Sequence, residues 1–522
     1  MLKNIFSNWI AIVVVGVIAF LLTPFLIHHL GNVEFGLWVL VGSISGYSGL
    51  LEFGLRATLQ RYVARYRGLN DRAALNQVFM TALVLTLVIG VLIFAVMLPL
   101  AWLLPGFFGL GGQRAHDFTL LIILMAISIP ISLVVLLLGT YVCGWQRFDL
   151  YNLNSVVRTI VHAVLIVVVL RHGYGVVALG VLSIVATAGL LPLDLLILRR
   201  VDPDLRLDWR LATRANAREL LGFSVWMFLN STGIRLRTFT DSIVIGRVLN
   251  VALIAPFSVA GRLMQYFEPI INSIVSPMLP LMSQYEGQGR RRELRAFFLQ
   301  ATKVTTLVTL LIGSILILDS KLLLRVWVGE EFVSTYALVV ILLIGYIFEL
   351  AQRPSTTALV ALGCHRALGG WTLGEGLANL ALSIYWGHLY GLVGVALGTT
   401  VPLVVVKLTL QPWYTLSKLG ISAREYLQTS LMRPVLVCFA FLASARWIMT
   451  SSSATGFLAL GLTVAWQALL FGLITWTVGL NPVEKVQVRD WCHAISSRLK
   501  LVEPAEIKNV VAEQSEDLVN VG

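Results

Sequence analysis

FGLWVLVGSISGYSGLLEFGLRATLQRYVARYRG, residues 35–68, predicts one long helix that begins apolar and ends in a run of cations. Polar side chains recur in it at spacings of three and four residues and therefore share one face, namely Ser45, Ser48, Glu52, Arg56 and Gln60. An arginine deep in a membrane helix costs about 2.5–3.5 kcal/mol on insertion scales, so it usually faces a bundle interior or a wet cavity. We therefore expect the rest of the chain to surround such a cavity.

The composition excludes an ordinary soluble protein. Hydrophobic residues make up 57% of the chain and charged residues only 13%, and the mean hydropathy is +0.84. Apolar runs of about 18–25 residues recur along nearly the whole length, and each could cross a bilayer core of about 30 Å. In a soluble protein the net charge of +12 would point to nucleic acid. Here the enrichment of cations that is typical of cytoplasmic loops explains most of the charge, and no nucleic-acid partner is expected.

The apolar runs predict an all-α polytopic membrane protein with about fourteen transmembrane helices. The first run reaches about Leu30 without a small-residue cleavage site, so it is interpreted as a span and not as a signal peptide. The predicted spans are 8–30, 36–62, 74–104, 117–143, 152–171, 174–198, 218–248, 252–283, 296–318, 334–362, 367–389, 391–412, 428–449 and 455–479.

Loop charge predicts the orientation in the membrane. The connections after even-numbered spans carry most of the cations, which are Arg61, Arg65, Arg67, Arg72, Arg147, Arg199, Arg200, Arg206, Arg210, Arg214, Arg218, Arg290, Arg291, Arg292, Arg295, Arg366, Lys418 and Arg424. The positive-inside rule therefore predicts that these connections and both termini are cytoplasmic. The tail from about Asn481 to Gly522 is polar, and its residues 486–500 form either a helix on the membrane surface or part of a loosely ordered tail. Residues 205–220 are also expected on the cytoplasmic face.

The chain contains an internal duplication. Several pairs differ by 219 positions, including Tyr66 and Tyr285, Gly144 and Gly363, and Arg147 and Arg366. The stretches at 174–180 and 390–398 both contain ALG, at an offset of 218. Six spans separate the copies, which predicts two six-helix parallel repeats that form two lobes around a central cavity. The predicted domains are 1–200 (N-lobe), 201–415 (C-lobe), 416–480 (two extra C-terminal helices) and 481–522 (cytoplasmic tail).

Charged side chains inside the spans are the candidate binding residues. Several arginines spread over both halves suggest an anionic ligand, because a guanidinium binds phosphate through paired hydrogen bonds and stays charged in a partly dry cavity. The candidates for substrate binding are Glu52, Arg56, Asn154, Arg158, Arg235, Arg237, Arg262 and Arg353. Asn154, Arg158 and His162 are spaced by four and share a face.

A purely structural interpretation stands beside the ligand hypothesis. Glu52–Arg56, Arg237–Asp241 and Glu349–Arg353 are spaced i,i+4 and could be ion pairs within single helices, without any ligand. Arg158 and Arg235 have no carboxylate at that spacing, so they are the stronger ligand candidates. A lone histidine such as His162 is more often packed and hydrogen-bonded than a proton carrier.

Several chemistries find no support in the sequence. There is no GxxxxGK[ST] loop for ATP and no HExxH, CxxC or Ser/His/Asp arrangement, so neither a cofactor nor a metal is predicted and the protein is not expected to be an enzyme. The four cysteines have no metal-ligand spacing and are expected to be free thiols, namely Cys143, Cys364, Cys438 and Cys492.

Six stretches are informative together, namely HHLGNVEFGLW at 28–38, GYSGLLEFGL at 46–55, TDSIVIGRVL at 240–249, WVGEEFV at 327–333 and the two ALG-containing stretches at 174–180 and 390–398. They resemble a known family, the O-antigen-type polysaccharide flippases of the multidrug/oligosaccharidyl-lipid/polysaccharide exporter superfamily. The resemblance covers about residues 1–480. It implies two V-shaped lobes, alternating access and a cationic cavity. It also implies movement of a polyprenyl-pyrophosphate-linked oligosaccharide from the cytoplasmic to the outer leaflet of the bacterial inner membrane.

On this hypothesis Arg56, Arg158, Arg235 and Arg262 form the pyrophosphate site, and neutralising Arg158 or Arg235 abolishes transport. Two alternatives remain open. A cation-coupled multidrug efflux antiporter of the same superfamily would use buried carboxylates such as Glu52, Glu268, Glu349 and Glu375. A membrane scaffold of a glycan polymerase complex would dock partners through its tail. The glycan, the coupling ion and the oligomeric state do not follow from the sequence.

Overall fold

The computed structural model describes residues 2–50, 55–221, 225–449, 456–486 and 489–490. In these residues the regular structure is helical throughout, with no strand. The helices are α1 (Leu2–Gly46), α2 (Leu55–Gly68), α3 (Arg72–Phe107), α4 (Gly112–Gly144), α5 (Phe148–Arg171), α6 (Val176–Gly189), α7 (Leu191–Val201), α8 (Arg214–Leu221), α9 (Val225–Val244), α10 (Ile254–Val275), α11 (Met278–Gly287), α12 (Arg291–Trp327), α13 (Tyr336–Ala351), α14 (Arg353–Ala361), α15 (His365–Val405), α16 (Gln411–Leu419), α17 (Ala423–Tyr426), α18 (Met432–Met449) and α19 (Phe457–Ile474).

Ten helical segments of the described chain are long and apolar enough to cross a membrane. Two of them, Ser7–Leu50 and His365–Leu419, are long enough for more than one crossing and contain a non-helical glycine, Gly31 or Gly391. Helices α9 and α10 are long enough to cross a membrane but more polar than these ten segments, and they lie where the seventh and eighth spans are predicted. The all-α polytopic membrane fold is therefore confirmed, whereas the number fourteen stays a prediction.

Turn geometry repeats between the two halves. Helices α3 and α12 begin at Arg72 and Arg291, which are 219 positions apart. The turns before them each contain a residue with positive φ, Asn70 at 54° and Gly289 at 68°, again 219 positions apart. We call α1–α7 the N-lobe and α9–α16 the C-lobe. The domain boundaries given above stay predictions.

One local prediction is wrong. Residues 35–68 do not form one continuous helix, because α1 ends at Gly46, a 3₁₀ turn follows over Tyr47–Leu50, and α2 begins at Leu55. A hydrogen bond from the C-lobe satisfies the Gly46 carbonyl at the break. Glu52 lies outside the described residues.

The C-terminal helices pack against the C-lobe. Phe441 of α18 and Phe471 of α19 form one buried cluster with Leu307 of α12. Lys303 of α12 donates to both carboxylate oxygens of Glu484, at 2.8 and 2.6 Å, and ties the chain after α19 to the same helix. The predicted tail helix lies outside the described residues from Trp491 onward. Helices α18 and α19 are thus fixed to α12 at several points along its length.

The segment between the lobes is fastened to the N-lobe. Asp202 follows α7 and accepts hydrogen bonds from Arg72 at 2.6 Å and from Tyr141 at 2.5 Å. Further on, the backbone N–H of Thr213 donates to Thr81 of α3 at 3.1 Å. Whether this segment lies on the cytoplasmic face, as predicted, stays a prediction. The described cysteines Cys143, Cys364 and Cys438 are free, as expected.

Candidate functional site

A cavity of about 710 Å³ lies between the two lobes. Its wall is formed by α1, α4, α5 and α6 of the N-lobe and by α9 and α10 of the C-lobe. Hydroxyl side chains are frequent in this wall, and its ionisable residues are Arg158, His162, Asp241 and Arg262. Two of the predicted binding residues, Arg158 and Arg262, therefore lie on one central cavity.

Contacts between the lobes lie on both sides of this cavity. On α1 the wall residues Trp38 to Ser43 lie between two glycines, Gly36 and Gly46. Gly36 packs against the backbone carbonyl of Val251 in the C-lobe, and the carbonyl of Gly46 accepts a hydrogen bond from the C-lobe. Gly36 must lack a side chain, because a Cβ there would overlap the Val251 oxygen. Beyond Gly46, the hydroxyl of Tyr47 is 2.6 Å from that of Thr240. Opening the cavity at either end requires breaking contacts between the lobes.

Arg158 is held by a carboxylate from another helix. Its Nη2 donates to Oδ2 of Asp194 at 2.5 Å, and its Nη1 donates to the carbonyl of Thr187 at 3.3 Å. Asn154 donates to the other oxygen of Asp194 at 2.6 Å and does not line the cavity. Arg158 has no partner on its own helix, as the sequence indicates, but it is not without a counter-charge.

Arg262 has a different environment. Its Nη1 donates to the hydroxyl of Thr23 at 3.2 Å, and its guanidinium lies 5.6 Å from the ring centroid of Phe35. Both partners belong to α1, so Arg262 also joins the lobes. Among the residues that the structure describes, no carboxylate lies within ion-pair distance of Arg262. Within the described part of the chain, its guanidinium therefore lies on the cavity wall without an ion-pair partner.

Asp241 contributes the only carboxylate that the described cavity wall contains. Its oxygens accept hydrogen bonds from Thr399 at 2.6 Å, Asn379 at 3.1 Å and Ser383 at 3.2 Å. The predicted i,i+4 ion pair between Arg237 and Asp241 is wrong, because Arg237 turns to carboxylates of α13 and α15 instead. Asp241 is thus held by neutral donors.

Six charged side chains, of which all but Arg353 and Glu268 are buried, form a network inside the C-lobe, away from the described cavity wall. Arg237 lies 2.8 Å from Glu349 and 3.5 Å from Glu375, and Lys407 lies 2.9 Å from Glu375. Arg353 lies 3.3 Å from Glu349, so this predicted i,i+4 pair forms, but it joins the end of α13 to the start of α14 and does not lie within one helix. Arg353 also pairs with Glu268. Three cations balance three carboxylates, so the network is a set of helix-to-helix ion pairs.

The remaining predicted residues lie elsewhere. Arg235 binds the backbone of Gly46 and is absent from the described cavity wall. Arg56 is exposed and borders a small apolar pocket beside α3 and α4. The structure therefore brings Arg158 and Arg262 together at the cavity and does not bring Arg56, Asn154, Arg235, Arg237 or Arg353 to it. For all of them a role in binding stays a prediction.

Two important residues were missing from the sequence-based list. Asp194 lies within the predicted span 174–198 and Lys407 within 391–412. An isolated charge inside an apolar span is itself a signal, because an ionisable residue in a membrane requires a partner. A search for single charges in spans, without requiring i,i+4 spacing, would have found both.

The bundle of two helical lobes around a cavity has the fold of the multidrug/oligosaccharidyl-lipid/polysaccharide exporter superfamily. One similar structure is an inward-facing multidrug resistance MATE family transporter, with a TM-score of 0.65 at 16% identity, over 74% of this chain and 94% of that one. Another is the lipid II flippase MurJ in an inward closed conformation. Its TM-score is also 0.65, at 15% identity, over 91% of this chain and 99% of that one.

The family follows from the sequence comparison. The model of the polysaccharide biosynthesis protein family matches residues 1–286, and the chain belongs to that family. A Shigella flexneri protein assigned as an O-antigen transporter is 21% identical over 426 residues, which are 79% of this chain and 97% of the relative. These relatives are transporters and not enzymes, in agreement with the prediction from the sequence.

Proposed function

We propose that the protein is a flippase that moves a polyprenyl-pyrophosphate-linked oligosaccharide across the bacterial inner membrane, from the cytoplasmic to the outer leaflet, for the synthesis of cell-surface polysaccharide. The cytoplasmic location of both termini is part of the proposal. The mechanism is alternating access, in which the two lobes separate first on one side of the cavity and then on the other.

The observation that carries this proposal is that Arg262 lies on the cavity wall with no ion-pair partner among the described residues. A guanidinium without a carboxylate partner in a partly desolvated cavity favours an anionic ligand, and paired N–H donors match the oxygens of a phosphate. Arg158, on the opposite lobe, supplies a second guanidinium to the same cavity. The two lobes could therefore hold one diphosphate between them.

The frequent hydroxyls of the cavity wall suit the other part of the ligand. Ser43 and Ser128 offer donors and acceptors to sugar hydroxyls. Ser132 and Ser258 donate to backbone carbonyls of their own helices and offer their oxygens as acceptors. The polyprenyl tail would stay in the surrounding lipid. An inside-negative membrane potential also favours outward movement of an anion, by about 2.3 kcal/mol per charge per 100 mV.

The test uses a strain in which the gene is deleted. We expect lipid-linked oligosaccharide to accumulate on the cytoplasmic leaflet and wild-type protein to reverse this. Arg262→Gln is expected to fail although the protein reaches the membrane in normal amounts. Arg247→Gln is the matched control, since Arg247 also lies over a phenylalanine ring, Phe107 at 5.2 Å, but is not on the cavity wall. Full transport by Arg262→Gln would contradict the proposal.

Asp241 favours one alternative function, cation-coupled multidrug efflux, because a carboxylate on the cavity wall could attract a cationic drug. That function predicts sensitivity to cationic drugs in the deletion strain, without accumulation of the lipid-linked glycan. It also predicts that Asp241→Asn abolishes drug resistance while Arg262→Gln retains it.

A further inference from the structure

Three polar side chains form a row that leads away from the cavity wall in the N-lobe. Arg158 lies on the wall with 22% of its side chain exposed, whereas the side chain of Asp194 behind it is only 3% exposed. Asn154 lies one helical turn before Arg158 on α5 and, together with Asp194, borders a separate small pocket. Only the first member of the row can meet a ligand in the cavity.

Asn154 determines how Asp194 can bind Arg158. A guanidinium commonly grips both oxygens of a carboxylate through two parallel hydrogen bonds. Here Asn154 occupies Oδ1 of Asp194 at 2.6 Å, and Arg158 reaches only Oδ2, at 2.5 Å. The ion pair is therefore held through one oxygen. Of the five N–H donors of Arg158, those not used by Asp194 and by the Thr187 carbonyl remain available to the cavity.

We propose that Asp194 and Asn154 are positioning residues that set how strongly Arg158 binds a diphosphate group. Asp194 orients the guanidinium of Arg158 and neutralises part of its charge, so that a bound diphosphate can dissociate. Asn154 prevents a two-oxygen ion pair that would withdraw Arg158 from the cavity. This inference rests on the proposed function, because it takes the diphosphate-linked lipid as the ligand.

A transporter needs this balance because it must release what it binds. Arg262 provides attraction without a described counter-charge, and Arg158 provides a weaker contact on the opposite lobe. If both arginines were uncompensated, the diphosphate would hold the lobes together around it. The pairing of Arg158 with Asp194 weakens the contact between Arg158 and the diphosphate. This makes separation of the lobes and release of the diphosphate easier, at a modest loss of affinity.

Two substitutions are expected to change affinity in opposite directions. Asp194→Asn removes the competing charge but keeps a side chain of the same size, so the Kd for a diphosphate should fall by about tenfold. Asn154→Ala frees Oδ1 for Arg158, so the Kd should rise by about threefold. A merely structural role would weaken binding in both variants or leave it unchanged in both.

The experiment uses the purified full-length chain in nanodiscs, with inorganic pyrophosphate and farnesyl diphosphate as calorimetric probes. Asp202→Asn is the matched control, because Asp202 is also a buried carboxylate bound to an arginine but lies away from the cavity. It should leave the Kd unchanged. Thermal melting identifies any variant that fails to fold. In vesicle flipping assays Asp194→Asn should lower both KM and the turnover rate.

The outcomes separate this inference from the proposed function. If wild type binds diphosphate but Asp194→Asn does not bind it more tightly, or Asn154→Ala does not weaken it, the positioning role is wrong. If neither wild type nor Asp194→Asn binds diphosphate, the proposed function fails and the inference fails with it. If affinities shift as expected but the deletion strain accumulates no lipid-linked glycan, the positioning role stands for a diphosphate ligand and the flippase assignment falls.

Discussion

Arg235 of α9 donates a hydrogen bond of 2.5 Å to the carbonyl oxygen of Gly46, the last residue of α1, across the boundary between the lobes. Gly49, in the turn that follows, lies so close to the same guanidinium that a Cβ there would overlap it. One arginine of the C-lobe thus closes a helix end of the N-lobe. Under the proposed alternating-access mechanism, this contact beside the cavity acts as a latch, because it must break when the lobes separate on this side.

Arg235→Ala is expected to loosen the lobes on this side. A hydrogen bond to a charged group contributes about 1.5–3 kcal/mol, so its loss should shift the population toward separated lobes. Spin labels at Leu69→Cys and Gln288→Cys, in a background without other cysteines, would measure this as longer distances in pulsed EPR. Arg366→Ala is the control, since Arg366 contacts Trp226 within its own lobe, at 5.2 Å. Identical distance distributions in wild type and Arg235→Ala would show that the contact is not a latch.

The charge network of the C-lobe predicts a large loss of stability on breaking one pair. Arg237→Ala leaves Glu349 and Glu375 buried with fewer counter-charges, which should cost about 3–5 kcal/mol. The measurement is thermal melting of the purified protein in detergent. Arg325→Ala, which removes an exposed pair with Glu330, should leave the melting temperature nearly unchanged. Equal melting temperatures for the two variants would contradict the structural role of the network.

The sequence was sufficient for the fold, because span length and repeat offset are properties of the chain alone. It also placed Arg158 and Arg262 on a cavity, since an arginine within an apolar span has few other places to lie. It was insufficient for ion-pair partners. The i,i+4 rule applies only to pairs within one helix. Arg237 instead pairs with carboxylates of α13 and α15, and Arg158 pairs with Asp194 of α7, after the break in the sixth span. The end of α1 at Gly46 likewise depends on a contact from the other lobe.

Close packing of α9 on α15 depends on glycines. A Cβ at Gly233 would overlap the backbone of Thr372, which cannot move as a flexible side chain can. Gly233→Ala should therefore destabilise the C-lobe by about 1–3 kcal/mol. Gly374→Ala, on the neighbouring helix, meets open space and should be neutral or slightly stabilising. Melting temperatures of the two variants measure the difference, and an unchanged value for Gly233→Ala would mean that the helices can separate without cost.

Truncation of the chain after residue 490 distinguishes the flippase proposal from the scaffold alternative. The contacts that fix α18 and α19 to α12 include Lys303–Glu484 and the cluster around Phe441, all before residue 491. A flippase whose site lies between the lobes should keep its stability and its transport after this truncation. Glu484→Gln, by contrast, leaves Lys303, with a side chain only 3% exposed, without its carboxylate and should lower the melting temperature. A stable truncated chain that no longer supports polysaccharide synthesis, although its flipping rate in vesicles is unchanged, would favour the scaffold alternative with the tail as docking segment.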